Sequence, residues 1–427
     1  MLYTGRGLAS GMSSRVPAAM IRGLFVKVDP SSPVFVKTGA GSLSLKAGAV
    51  VEVAGRAFRT TVDEAVVMPT LTAGSDYAVY VCADGTVRAD ASFSAPIGYT
   101  TANSRQIGGF HYGLIAAGTT IDGGSGFRSF SQLTRSGTTT SGSAMITGLS
   151  QTSDLFAGLS VAGTGVGTAA VILSIDSASQ ITLSVNSTAS ASVTLTLTNS
   201  GLAWTQAQVD AIAGINGYSL WDLLWRPSSP DPRGMALVSG LFWSDIYLLG
   251  INHITVGTSA SGQTIADGSS LPKIPVIFGG DGSKTYSGFR WHVANEVLAN
   301  YAKTTPTSQQ FPVLSYGVQE NTSCSTDPVT TQHQAGFTSL WGIEQAVGCM
   351  NTFGERGGPY SAAAWTASSS GRGTYYDAPS VGVYGGRWDY AALSGSQCEF
   401  WASTLATASN NLGARGVCRH VNLGGGL

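Results

Sequence analysis

Residues 385–418 read GGRWDYAALSGSQCEFWASTLATASNNLGARGVC. Between Trp388 and Leu412 neither a helical nor a strand period of apolar residues holds for long. Aromatic, charged and amide side chains alternate with Ala and Ser at no fixed interval. Gly385-Gly386-Arg387-Trp388 opens the stretch, and Gly413-Ala414-Arg415-Gly416-Val417-Cys418 closes it. A mixed segment between tryptophan and glycine anchors suits surface loops on a rigid frame, where recognition usually resides. Tyr, Trp and Arg in such loops are frequent binding hot spots. An ordinary loop-rich carboxyl terminus fits the same residues equally well.

The rest of the chain frames this choice. At 427 residues it has length for two to four domains. Lys+Arg 23 against Asp+Glu 24 gives a net charge of −1, so no global field favours nucleic acid or an anionic membrane. Only 11% of residues are charged, against the usual ~25%, and 56 glycines are about twice the usual share. Hydrophobic residues still make up 43%, which argues against disorder. A cytoplasmic metabolic enzyme fits this composition poorly. No apolar leader follows the scattered Arg6, Arg15, Arg22 and Lys27, so no ordinary signal peptide is expected. The longest apolar-leaning stretch, Met235 to Ile251, contains Ser239, Ser244 and Asp245 and predicts no membrane insertion. The odd cysteine count (82, 324, 349, 398, 418) without CxxC spacing argues for free, buried thiols and against a structural zinc site.

All nine tryptophans lie from Trp204 onward, so the two halves have different cores. From Phe35 to about Tyr112, short apolar runs such as Ala49–Val53 and Tyr77–Val81 alternate with turns such as Asp84-Gly85. That spacing predicts an antiparallel sandwich over 35–128. Between Arg135 and Arg226 there is no Lys or Arg, and Ser136 to Leu197 carries only Asp154 and Asp176. The runs Ala170–Ile175 and Ser192–Leu197 predict strands, and an inserted immunoglobulin-like β-module over 129–202 rather than a linker. Thr205 to Ile212 predicts a short helix capped by Thr205. Pro275–Phe278 predicts a short strand, and His292 to Ala302 a helix with Val293, Val297 and Tyr301 on one face, stopped by Pro306. Loops are expected thereafter, through Gly354–Gly358 and Gly371–Gly373. The whole reads as mainly β, with an α+β domain over 203–427.

Catalytic signatures are scarce. There is no HExxH, GxSxG or EF-hand pattern. Gly279-Gly280-Asp281-Gly282-Ser283-Lys284-Thr285 departs from a phosphate loop by placing Ser283 before the lysine, and reads better as a glycine-rich hairpin or loop. The histidines at 111, 253, 292, 333 and 420 stand apart and predict structural or exposed roles. Glu344 and Glu355 are a poor acid/base pair from sequence alone.

Gly385-Gly386-x-Trp388, Ser394-Gly395-Ser396, Trp401 and the Gly413–Cys418 ending resemble the variable proteins of diversity-generating retroelements, which include phage tropism determinants. Trp341–Gly348 (WGIEQAVG) and Thr304–Phe311 (TTPTSQQF) are similar to core segments of the same C-type-lectin-like fold. The resemblance covers about half the chain, from roughly Ser219 to Leu427; an insertion near 130–202 departs from the family pattern.

The resemblance implies a non-enzymatic receptor-binding protein at the tip of a phage tail fibre, a homotrimer without cofactor or metal. Its expected partners are a bacterial surface protein or glycan and other phage tail or baseplate proteins, with no nucleic acid. The virion is its expected location, after synthesis in the bacterial cytoplasm. Residues 1–34 would be a β-rich attachment or trimerisation segment. Residues 203–427 would form a C-type-lectin-like domain of the formylglycine-generating-enzyme type, with a variable region at about 385–418. Carried over position by position, the receptor-binding candidates are Arg387, Asp389, Tyr390, Ala391, Leu393, Phe400, Ala402, Ser403, Thr407, Asn410 and Asn411. Trp388, Trp401, Gly413 and Arg415 would be scaffold. Two alternatives share the frame. A formylglycine-generating-type copper oxidase needs a closely spaced cysteine pair, whereas Cys398 and Cys418 lie far apart. A calcium-dependent sugar lectin needs triplets that Trp388-Asp389-Tyr390 does not supply.

Overall fold

The computed structural model describes residues 23–118, 133–152, 155, 159–198, 206–334, 336–367 and 374–424. The chain is mainly β and divides into two compact units. One holds the chain up to Thr120 together with Gln206–Tyr316 and Asn321–Leu427; the other holds Ile121–Thr205 with Gly317–Glu320. Residues 1–22 of the expected attachment segment, and the proposed cap Thr205, lie outside the described residues.

In the first unit the amino-terminal part is built on an antiparallel sheet. Its strands run Trp221–Asp222, Ser104–Tyr112, Ser75–Cys82, Val87–Asp90 in spatial order. Tyr77 to Cys82 are all buried, which explains an unbroken apolar run where a half-exposed strand would alternate. The Asp84-Gly85 turn forms as expected, with Gly85 at φ +90° and the Asp84 carboxylate accepting the Thr86 N–H at 3.0 Å. Two three-stranded sheets cover this one, and Phe35, Leu43, Val51, Phe58, Val79 and Phe110 fill the shared core.

The second unit packs two antiparallel three-stranded sheets: Leu133–Thr139, Ala191–Thr198, Ser160–Ala162 and Met145–Ile146, Gln180–Leu183, Ile172–Ser177. Ile146, Leu159, Ile172, Ile181, Leu195 and Leu197 make its core. Ser192–Leu197 is a strand as its alternation predicts. The other expected strand begins at Ile172 and is bulged against its partner.

The carboxyl-terminal part of the first unit holds two four-stranded sheets. In the first, Val417–Asn422 lies between Trp225–Pro227 and Phe242–Asp245, with Met235–Val238 at the edge. In the second, the order is Glu399–Thr404, Thr374–Tyr384, Asn351–Ala367, Leu412–Gly413, the last pairing parallel. This part also holds the helix Trp291–Ala299 and the short helix Gln310–Leu314. Val293 and Val297 of the longer helix are buried against Phe289, Phe353 and Val383.

Three expectations need correction. The helix ends at Ala299, short of Ala302, because Ala302 turns to φ +55° and the Tyr301 and Lys303 amides return to the Leu298 carbonyl. That reversal aims Lys303 inward. Pro275–Phe278 is a 3₁₀ turn rather than a strand: Gly279 takes the left-handed conformation, and Val276 and Ile277 stay exposed. The predicted loops after Met350 are instead the long strand Asn351–Ala367, paired with Thr374–Tyr384. Three register irregularities erase the two-residue alternation that would have announced it. Gly354 and Gly357 belong to this strand, where a Cβ would sit 2.0 Å from the Tyr384 ring and 2.6 Å from the Trp401 ring. Gly371–Gly373 lie outside the described residues.

Lys303 reaches the centre of this frame. Its Nζ donates to Asp245 Oδ1 at 2.5 Å and to Thr258 Oγ1 at 2.7 Å, with both charged side chains nearly inaccessible. Lys303→Met should leave the Asp245 carboxylate buried without the ammonium that hydrogen-bonds it. The expected loss is about 3–5 kcal/mol of unfolding free energy, measurable by urea titration.

Candidate functional site

The two glycine-bearing motifs are sterically constrained. Gly385 and Gly386 both have positive φ; a Cβ would meet Phe311 at 2.8 Å in the first and the Ser394 Cα at 2.7 Å in the second. Trp388 packs partly buried on Leu248, Ile265 and Met350. At the other motif, a Cβ on Gly413 would stand 2.8 Å from Met350, and one on Gly416 2.6 Å from Asp245 Oδ2 and 2.9 Å from Lys303 Cδ. Gly416 is therefore what admits the buried ion pair so close to the last strand.

Arg415 between them is fully buried. Its Nη1 donates to the carbonyls of Asp245 at 2.8 Å and Ile246 at 2.6 Å; its Nη2 donates to those of Glu344 at 2.6 Å and Gln345 at 3.4 Å. Burial lowers its guanidinium to about 10, against the pull of the nearby Asp245 and Glu344, so it stays charged at neutral pH. Burial pushes the Asp245 carboxyl up, while Lys303, Thr258 and Arg415 pull it down. The Glu344 carboxylate accepts from Thr338 Oγ1 at 2.5 Å and faces His333 Nδ1 at 3.0 Å, which raises the His333 imidazole above its usual value. Glu355 instead holds the amide and hydroxyl of Ser308, at 2.9 and 2.8 Å.

On this frame the segment 387–394 is a closed loop. Tyr390 N–H donates to the Arg387 carbonyl and Leu393 N–H to the Tyr390 carbonyl, each at 3.0 Å, making a 3₁₀ turn over Ala391–Leu393. A strap at 321–323 supports it. Asn321 N–H donates to the Ser394 carbonyl at 2.9 Å, while Ser323 Oγ donates to the Trp388 carbonyl at 2.6 Å and accepts the Ala391 N–H at 3.3 Å. Apart from Ser323, these bonds are made by backbone atoms, so they do not depend on the loop's side chains. Those side chains are largely free: Leu393 is 72% exposed, and Asp389, Ala391 and Ala392 are exposed. Arg387 covers the Tyr390 ring, 4.4 Å from its centroid, and donates from Nε to Asp389 Oδ1 at 2.6 Å.

The strand Glu399–Thr404 adds Phe400, 47% exposed, and the exposed Ala402. Trp401 is half-buried, edge-on to Tyr384, with its Nε1 donating to Glu399 Oε1 at 2.9 Å. Asn410 is exposed, and Asn411 is half-buried with its carbonyl accepting the Asn351 N–H at 3.1 Å. Two candidates differ from the rest. Ser403 is 7% exposed and so offers no surface, and the Thr407 hydroxyl closes a turn by accepting the Thr404 N–H at 2.9 Å.

The structure thus gathers Arg387 to Leu393 on one strapped loop and Phe400 and Ala402 on the adjoining strand. Asp245, Lys303 and Ser323 were not singled out from sequence. Their partners lie tens to hundreds of residues away, and no local pattern marks them. The glycine run at 279–285 is no phosphate cradle: Asp281 Oδ1 already accepts the Ser283 and Lys284 amides, at 3.0 and 2.9 Å. Among the described residues no group of three His, Cys, Asp or Glu is placed to hold a metal ion, and no helix is long and apolar enough to cross a membrane.

A family model described as the Mtd second domain matches residues 33–130. The tail fiber receptor-binding protein of Bordetella phage BPP-1 is 38% identical over 414 residues, 95% of this chain and 86% of that protein. Among solved structures, the U1 and I1 variants of the major tropism determinant each superpose with a TM-score of 0.71 at 37% identity, covering 96% of this chain and 89% of theirs. The chain belongs to the family of phage tail-fibre tropism determinants.

Arg415→Lys tests the scaffold. A single ammonium cannot reach the carbonyls on both sides of the fork, and each acceptor left unpaired costs about 1–3 kcal/mol. A clear drop in melting temperature is expected, whereas Leu393→Ala should leave it within about a degree, because exposed side chains contribute little.

Proposed function

We propose that this chain recognises a bacterial surface protein or glycan at the tip of a phage tail fibre, as a homotrimer, without catalysis. The observation that carries the reading is the division of labour at 385–418. Backbone atoms and buried anchors hold the segment, while Arg387, Asp389, Tyr390, Ala391, Leu393, Phe400, Ala402 and Asn410 remain at or near the surface. The relatives, a receptor-binding tail fibre protein and tropism determinants, support it. Aromatic and arginine side chains on a fixed backbone can concentrate binding energy, and their exchange changes the partner without unfolding the frame. Three copies per fibre tip would raise a weak single-site affinity by avidity.

We read the carboxyl-terminal frame, 203–427, as C-type-lectin-like and the module at 129–202 as immunoglobulin-like. In this arrangement 35–128 is the sandwich and 1–34 the attachment segment. The surface mixes Arg387 with Asp389 and Glu399, which suits direct contact better than long-range steering. Asp389 is engaged by Arg387, and binding that survives chelator is the corresponding expectation.

Replacing Tyr390 and Phe400 together with Ala should reduce attachment of the protein to host cells at least about tenfold, the loss of one strong hot spot. Its melting curve should be nearly unchanged; undiminished attachment would refute the site. Diversification is tested separately by sequencing the 3′ end of the gene across many clones. Substitutions should fall within codons 387–411 beside a downstream near-copy of the segment, whereas an invariant end would indicate a fixed adhesin.

A further inference from the structure

The strap that supports the 387–394 loop carries Cys324 at its end. Cys324 N–H donates to the Gly348 carbonyl at 3.0 Å, which lays the strap against the segment containing Cys349. The approach is close: a Cβ on Gly348, at φ +65°, would stand 2.8 Å from the Thr322 carbonyl oxygen and 3.1 Å from the Ser323 Cα. That approach sets the two thiols near enough for each to shift the other's ionisation, and Cys324 Sγ donates to the Thr326 carbonyl at 3.0 Å. Cys349 is fully buried and Cys324 half-exposed, so one sulfur of the pair is reachable from solvent.

We propose that Cys324 and Cys349 are a dithiol that a small-molecule disulfide converts into an intramolecular disulfide, pinning the 321–324 strap beneath the 387–394 loop. In the first step the Cys324 thiolate attacks one sulfur of the external disulfide, forms a mixed disulfide and releases one thiolate. In the second, Cys349 attacks the Cys324 sulfur as its proton passes to solvent, and the remaining small-molecule thiolate leaves. Two protein thiols are oxidised and one external disulfide is reduced to two thiols.

The order of the steps follows from the surroundings. The neighbouring Cys349 side chain lowers the Cys324 thiol to about 7, against burial and the Asp327 carboxylate. Burial and the neighbouring Cys324 side chain raise Cys349, with Glu344 adding to the rise and Arg415 opposing it. Cys324 is therefore the entering nucleophile and Cys349 the resolving thiol. Burial raises the other three thiols, Cys82, Cys398 and Cys418, and so disfavours their thiolates.

The pairing adds to the binding reading by naming what fixes the loop, but its test contains no receptor, so either can fail alone. The full-length chain is incubated with oxidised glutathione and mapped by non-reducing peptide mass spectrometry. The expected product is a Cys324–Cys349 cross-link, with loss of two titratable thiols. The first step should accelerate as pH rises and level off above about 7. Cys349→Ser should stop at glutathione on Cys324, and Cys324→Ser should leave Cys349 unmodified. Hydrogen exchange at the Asn321 and Ala391 amides should slow by roughly tenfold or more after closure. Wild-type protein that keeps Cys349 free, forms a different cross-link, or closes without slowing those two amides overturns the proposal.

Discussion

The buried charges of Lys303, Asp245 and Arg415 set the terms for the carboxyl-terminal frame. Asp245 ends one strand, Lys303 follows a helix, and Arg415 precedes the final strand; the three meet in a place nearly closed to water. A charge so buried must be matched by fixed partners, and here the match is made by one carboxylate, a threonine hydroxyl and four backbone carbonyls. Such an arrangement adds less to net stability than its short distances suggest, because desolvation opposes it. Its main effect is on register. A slip of one residue in any of the three segments would strand a charge, so the last strand has one acceptable position. Gly416 and the early end of the helix at Ala299 both follow from that demand.

Upon this frame the loop 387–394 and the strand 399–404 present the exposed side chains of Asp389, Leu393, Phe400 and Ala402. Hydrogen bonds that hold the loop run mainly between backbone atoms, and its hydrophobic anchoring rests on Trp388 rather than on the residues between. Chain segments distant in sequence supply the remaining support, notably the 321–323 strap. Membership of the tropism-determinant family gives this separation of frame and surface a natural context.

Much of this was legible in the residues, and the limits have physical causes. The glycine-tryptophan opening and the GARGVC ending are readable because steric necessity leaves few substitutes: Gly385, Gly386, Gly413 and Gly416 each face an atom that a Cβ would strike. The amino-terminal strands are readable because full burial makes Tyr77–Cys82 uniformly apolar. The hairpin of Asn351–Ala367 and Thr374–Tyr384 is not, since bulges scramble its alternation and glycines mimic a loop. Val276 and Ile277 mislead in the other direction, being β-branched yet exposed on a 3₁₀ turn. The strap and the Lys303–Asp245 pair stay hidden because a single sequence does not show which distant polar residues meet.

Exchangeability is also unequal within the segment. Ala391 has φ +46°, a conformation in which β-branched side chains are strained. Ser403 lies in a closed space that a bulkier group would have to force open, and the Thr407 hydroxyl is tied into a turn. Leu393, Phe400 and Asn410 face solvent under no such restriction. Random replacement along this stretch would therefore yield a filtered repertoire: chemically broad at the open positions, narrow at the three constrained ones. The molecule's range of attainable specificities would have fewer independent dimensions than its count of candidate positions implies.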